Sequence, residues 1–145
     1  MDIDKYISSF RNEIDNFDET VAKIVIANKG WLLSRLKLRL YQRGLDGNLQ
    51  SLGTYSKRHA EYRKSQNLRT SHVTLKFRGG FWDGMDVEVE KTSLFIESSD
   101  WKNDLLVSQY GEAILENTEQ ELRQFVDQII EPELLKIFRN LGDIG

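Results

Sequence analysis

Apolar residues recur every three or four positions at both ends of this chain and every second position in its middle. That double change of period is the strongest constraint on its fold. Ile3, Ile7, Phe10 and Ile14 mark one face of a first helix over about 2–15, with Asp2 placed to cap it. The run Asp15-Asn16-Phe17-Asp18 ends that helix, and a longer one over about 19–43 follows, with Asp18 as N-cap and Phe17 where a hydrophobic staple sits. In the middle, Val73, Leu75 and Phe77 alternate with Thr74, Lys76 and Arg78. After Gly79-Gly80 the alternation resumes at Met85, Val87 and Val89, and Leu94-Phe95-Ile96 is a third apolar run. Three short strands with tight connections predict an antiparallel meander. Residues 104–110 read as a short helix ended by Gly111, and Thr118 with Glu121 forms a capping-box signature. From there Leu122, Phe125, Val126, Ile129, Ile130, Leu134, Ile137, Phe138 and Leu141 trace a helical stripe that Pro132 is expected to bend. The expectation is one α+β domain over 1–145: helices over 1–43, a turn-rich loop and small antiparallel β-meander over 44–99, and helices over 103–141. The meander packs against the long N-terminal and C-terminal helices.

The second helix changes character midway. Val21, Ile24 and Val25 form an ordinary stripe, but Trp31, Leu32, Leu33, Leu36, Leu38, Leu40 and Tyr41 cover most of the circumference, interleaved with Arg35, Lys37, Arg39 and Arg43. A helix apolar on more than one face must bury more than one face. Trp31, Leu32, Leu36, Leu40 and Tyr41 are therefore candidates for a subunit interface. Gly30 is a point for a kink or for close approach of another backbone. Downstream, 44–56 is rich in turn formers, with Asp46-Gly47 as the corner of a small hairpin, and the polar, basic 57–70 reads as a loop with one helical turn.

A net charge of −3 conceals a strong asymmetry. Residues 29–78 hold twelve Lys and Arg against Asp46 and Glu61 alone, whereas 79–145 hold five against fifteen acids. Either the two stretches neutralise one another, within a subunit or between subunits, or the basic middle faces a polyanion. Lys57, Arg58, Arg63, Lys64, Arg69, Lys76 and Arg78, interleaved with Tyr55, Tyr62 and Phe77, form the candidate basic patch. Such a patch neutralises phosphates and stacks bases without reading sequence, since no DNA-reading motif frames it.

Catalytic signals are sparse. The chain has no cysteine, so disulfides, thiolate metal sites and cysteine nucleophiles are excluded together. His59 and His72 lack metal-ligand spacing, and neither a G-x-S-x-G elbow nor a phosphate-cradling glycine loop occurs. Asp46, Asn48 and Gln50 open like a calcium loop, but Ser51 and Lys57 stand where its glycine and glutamate belong, so a turn is expected. Asp100-Trp101-Lys102 with Asp83 resembles the metal-holding pattern of some nucleases, a pattern short enough to arise by chance. No enzyme activity, metal or cofactor is expected. Apolar runs fall short of a membrane span, and the acidic Met1-Asp2-Ile3-Asp4 start lacks the form of a secretory signal.

Tyr41-Gln42-Arg43-Gly44-Leu45-Asp46-Gly47 and Leu52-Gly53-Thr54-Tyr55-Ser56 resemble a block found in small neck and tail proteins of tailed phages and prophages, largely from Bacteroidetes-type hosts. The resemblance continues through Leu68-Arg69-Thr70, His72-Val73-Thr74-Leu75 and Gly80-Phe81-Trp82 to Gln109-Tyr110-Gly111-Glu112-Ala113-Ile114-Leu115, so it covers about 38–120. Gly79 stands where that family has threonine, and Ala113 where it has aspartate. The resemblance implies a virion structural protein of the head–tail connector or tail-completion kind, with a long helix on a small sheet. It also implies a homo-oligomeric ring beneath the portal, assembled in the host cytoplasm, with no shared active site. The expected partners are other copies of the chain, portal, connector or tail proteins, and the DNA backbone non-specifically, with no membrane. The alternative is a sequence-independent nucleic-acid-binding accessory protein using 57–78.

Overall fold

A computed structural model describes residues 1–76 and 78–144. The chain opens with a single helical turn, α1 (Asp4–Ile7), continued by a 3-10 turn at Ser8–Phe10. The longer first helix expected from the isoleucine spacing does not form, because the first residues are drawn into the sheet. Ile3 N–H donates to Thr92 O at 3.1 Å, Leu94 N–H donates to Met1 O, and Asp2 bridges Ser93. Ile3, Ile7 and Ile14 are nonetheless all buried, so the stripe records burial correctly while misreading its geometry.

The expected helix over 19–43 is two helices, α2 (Phe17–Ala27) and α3 (Lys29–Arg43). Asn28 makes the break: its side-chain amide donates to Ile24 O at 2.8 Å and its N–H to Val25 O, closing α2 before α3 begins. Gly30 plays neither expected part. It lies in the first turn of α3 with nothing within 4 Å of where a Cβ would stand. Gly44 ends α3 in the left-handed conformation, donating to Leu40 O at 3.0 Å.

After α3, a tight loop returns on itself through an antiparallel bridge between Leu45 and Ser51. Asp46 Oδ1 accepts the N–H groups of Asn48 and Gln50, so this carboxylate organises the turn. Next comes α4 (Lys57–Ser65), a regular helix where a loop was expected, with Ser56 Oγ accepting from His59 N–H at 3.2 Å. Residues 73–76 form no strand. Leu75 has φ of 61°, which breaks the pleat. Backbone N–H groups here turn to local partners: Val73 to Gly53 O, Thr74 to the Tyr55 hydroxyl and Lys76 to Thr74 Oγ1. Phe77, assigned from the sequence to that strand, lies outside the described residues.

A short helix, α5 (Gly80–Asp83), leads into the sheet, which is a two-stranded antiparallel hairpin of β1 (Met85–Glu90) and β2 (Ser93–Ser98) rather than a meander. Its register pairs Val87 with Ile96 and Val89 with Leu94. Met85, Val87, Leu94 and Ile96 face inward, with β1 lying against α2 and α3, while Asp86, Glu88, Glu90 and Glu97 face out. Then follow α6 (Asn103–Tyr110), a 3-10 turn at Glu112–Leu115, and α7 (Glu119–Phe125). Thr118 caps α7 as expected, accepting from Glu121 N–H at 3.1 Å. Instead of a plain bend before Pro132, α7 passes through a π-helical turn at Val126–Ile130, with Glu131 N–H donating to Val126 O, into α8 (Glu131–Ile144). One extra residue per turn is absorbed just where proline has no N–H to give. The result is an α+β fold with one contiguous core. No helix among the described residues is long and apolar enough to cross a membrane.

Candidate interaction faces

On α3, the repeat Leu32, Leu36, Leu40 falls on one line of the helix, and all three side chains are fully buried. They belong to this chain's own core, which corrects their assignment to a subunit interface. Trp31 is half-buried against Phe125, with ring centroids 5.4 Å apart, and the Arg35 guanidinium lies over its ring, 4.5 Å from the centroid. Tyr41 stands edge-on to Trp82 at 6.0 Å and keeps an exposed side, as does Leu38. The apolar surplus of α3 is thus mostly absorbed by α7, α5 and the hairpin.

Arg39, at the same helical level as Leu36 and Leu40, is 5% exposed. Its Nη1 donates to both carboxylate oxygens of Glu121 at 2.9 Å, its Nη2 to Glu116 O at 2.7 Å and its Nε to Leu45 O at 3.2 Å. Asn117 extends the network by donating to Glu121 Oε1 and Leu32 O, while its own Oδ1 is buried with no hydrogen bond. The resemblance blocks around Gly47 and Ala113 meet beside this network. Gly47 N–H donates to Ala113 O at 2.8 Å, and a Cβ on Gly47 would come within 2.7 Å of Glu116 O.

The basic patch divides. Arg63 is buried, with Nε donating to Arg69 O and Nη2 to Thr74 Oγ1 and Lys76 O, and its guanidinium lies 4.3 Å from the Tyr55 ring centroid. It is a fold-holding residue, which corrects its placement among polyanion-facing ones. Arg69 is exposed but committed, donating to Tyr41 O and Ser71 Oγ and stacking on Tyr41. His72 also binds Tyr41 O through Nε2, at 2.6 Å. Lys57, Arg58, Lys64, Lys76 and Arg78 all face solvent. The interleaved Tyr55 is half-buried and Tyr62 exposed; Phe77 lies outside the described residues.

Ion pairs of Arg39 with Glu121, and of Lys29 with Asp86 at 2.9 Å, join the basic stretch to the acidic last third. The hydrogen bond from Lys29 holds the Asp86 carboxyl below its ordinary value, helped by the Val87 N–H. Lys57, Arg58, Lys64, Arg69 and Lys76 have no carboxylate partner among the described residues. These five cations are therefore not neutralised by carboxylates among the described residues.

Between α4 and α6 lies a cavity of about 580 Å³, lined among others by Tyr55, His59, Arg63, Phe81, Lys102 and Tyr110. Burial there pushes the Tyr110 hydroxyl above its ordinary value, with Tyr55 reinforcing and Arg63 opposing the shift. Asp100 Oδ1 accepts Lys102 N–H at 2.9 Å, so this aspartate organises the turn into α6. No cluster of three or more His, Asp or Glu able to hold a metal occurs among the described residues.

Sequence reasoning missed α4 because its inward face carries no apolar stripe; Arg63 is its only buried residue. The available signal was Ser56 as N-cap ahead of nine residues free of glycine and proline. It also missed Trp101 and Leu105, which are 79% and 58% exposed one helical turn apart. Comparison of the chain with protein-family models, curated proteins and solved structures finds no match.

Proposed function

We propose that this chain is a non-enzymatic structural component of a tailed-phage virion, assembling into a homo-oligomeric ring at the head–tail connector, neck or tail. One observation carries the proposal: the exposed cations Lys57, Arg58, Lys64, Arg69 and Lys76 have no carboxylate partner among the described residues. A ring made of head-to-tail contacts offers each basic face the acidic face of the next copy, or turns it toward a DNA-filled lumen. The order of the motif blocks over about 38–120 supports the phage assignment independently of charge.

The same cations favour a second reading, in which a non-assembling protein binds nucleic-acid backbones. Light scattering after size exclusion, at low and high salt, separates the two. A discrete oligomer that survives moderate salt is expected. A monomer at both salts, with DNA affinity falling steeply as salt rises, would transfer the function to nucleic-acid binding.

A further inference from the structure

Helix α6 lacks the packing that the other long helices have. None of its residues is buried. Lys102, Leu106 and Gln109 face the cavity shared with α4, and Asn103 and Val107 face a second cleft against β2, with Asp104 at its outer edge. On the outer side stand Trp101, at the turn into the helix, and Leu105. Both are exposed far beyond what a large apolar side chain retains under a covering layer. The exposed Asp104 stands beside them, while Asp100 is half-buried with its carboxylate on the Lys102 N–H, and Lys102 Nζ lies 5.8 Å from the Trp101 ring centroid. Across the cavity, α4 turns its Arg63 side inward and presents Lys57, Arg58, Tyr62 and Lys64 outward, with Glu61 as the sole acid on that face.

We infer that the outer face of α6 docks on the outer face of α4 in a second copy of this chain, Trp101 and Leu105 packing beside Tyr62 while Asp104 meets Lys57, Arg58 and Lys64. The two helices are of matched length, eight and nine residues, or roughly 12–14 Å. An aromatic anchor beside a charge that the facing surface complements is the usual form of a contact that is both tight and directional. Because the two faces differ, the contact is heterologous and propagates from copy to copy. The inference rests on the ring reading and assigns the contact that builds it.

The test uses two variants of the full chain, each altered only at exposed residues. One carries Trp101→Ala with Leu105→Ser, the other Lys57→Glu with Arg58→Glu, and an unchanged thermal transition confirms that each is folded. The expected result is a wild-type assembly, a loss of mass to one chain for either variant alone, and recovery of a 1:1 dimer on mixing, since one intact face remains on each. Variants that keep the wild-type mass, or a mixture that stays monomeric, would overturn the α6–α4 contact while leaving the ring reading standing. A wild-type chain that remains monomeric at millimolar concentration overturns both. A wild-type mass of two chains, with both variants monomeric, would mean a contact made reciprocally in a closed pair, which overturns both its propagation and the ring.

Discussion

The seam between α3 and α7 and the flank between α4 and α6 each bury an arginine from the basic stretch, and they treat it differently. Arg39 meets a carboxylate, a side-chain network and the fully buried Leu32, Leu36 and Leu40. Arg63 meets the neutral acceptors Arg69 O, Thr74 Oγ1 and Lys76 O, beside a cavity and a helix with no buried residue. A buried cation needs compensation in either case. With a carboxylate the charge is cancelled where it stands; with carbonyl dipoles it is solvated but keeps its field. The first region thereby holds its cation neutralised in the interior, and the second retains positive charge at an incompletely covered surface.

The sharpest way to break this comparison is Arg39→Ala. It strands the Glu121 carboxylate in the interior, with an expected loss of about 3–5 kcal/mol of stability in urea unfolding. The double change Arg39→Met with Glu121→Leu should recover most of that loss, because no uncompensated charge is left behind. Recovery no better than the single variant would mean that the pair does more than neutralise itself.

Core truncations should divide along the same line. Leu36→Ala is expected to cost about 2–5 kcal/mol, as a close-packed side chain replaced by a cavity does. Leu106→Ala, beside space that already exists, should cost about 1 kcal/mol or less. Equal losses would show that α6 is as well packed as α3 in solution.

Arg63→Ala should cost about 1.5–3 kcal/mol, less than its counterpart on α3, because the stranded acceptors are neutral and adjoin the cavity. Faster hydrogen exchange around Thr74 and Lys76 is expected, with the α3–α7 seam unchanged. Arg63→Lys should not restore protection, since one ammonium cannot span three acceptors held by a planar fork. Smallest of all is the exposed Lys29–Asp86 pair, worth no more than about 0.5 kcal/mol after solvent screening. The folded Asp86 carboxyl lies below its unfolded value, so this contribution is present above the ordinary carboxylate range and disappears as pH falls through the depressed one. In Lys29→Ala the carboxyl should titrate at higher pH, and the stability gap from wild type should close in acid.

Much of the fold was legible because apolar periodicity records which side of an element is buried. It placed the inward residues of the hairpin, and the capping-box pattern separately placed the α7 cap at Thr118, whereas the leucine line of α3 was assigned to a subunit interface although it lies in the core. It failed where the period was right but the partner was not visible. The spacing of Ile3, Ile7 and Ile14 fits a helix, yet Met1–Ile3 are held by hydrogen bonds to residues 92–94, far along the chain. Val73 and Leu75 alternate like a strand, but Tyr55 and Gly53 take the hydrogen bonds that a neighbouring strand would need. The basic patch was read as a unit because composition sees charge without orientation, and only the folded chain turned Arg63 inward and Lys57, Arg58 and Lys64 outward.

By itself the sequence determined the α+β class, the charge asymmetry, the absence of thiol chemistry and most of the core, since these depend on residue type and local spacing. Tertiary structure decided which apolar residues on α3 were already satisfied and which buried arginine found a carboxylate. It also decided that Trp101 and Leu105 remain uncovered. Those outcomes depend on contacts between residues distant in the chain, such as Arg39 with Glu121 and Trp31 with Phe125, whose energies appear only once the intervening segments are folded into place.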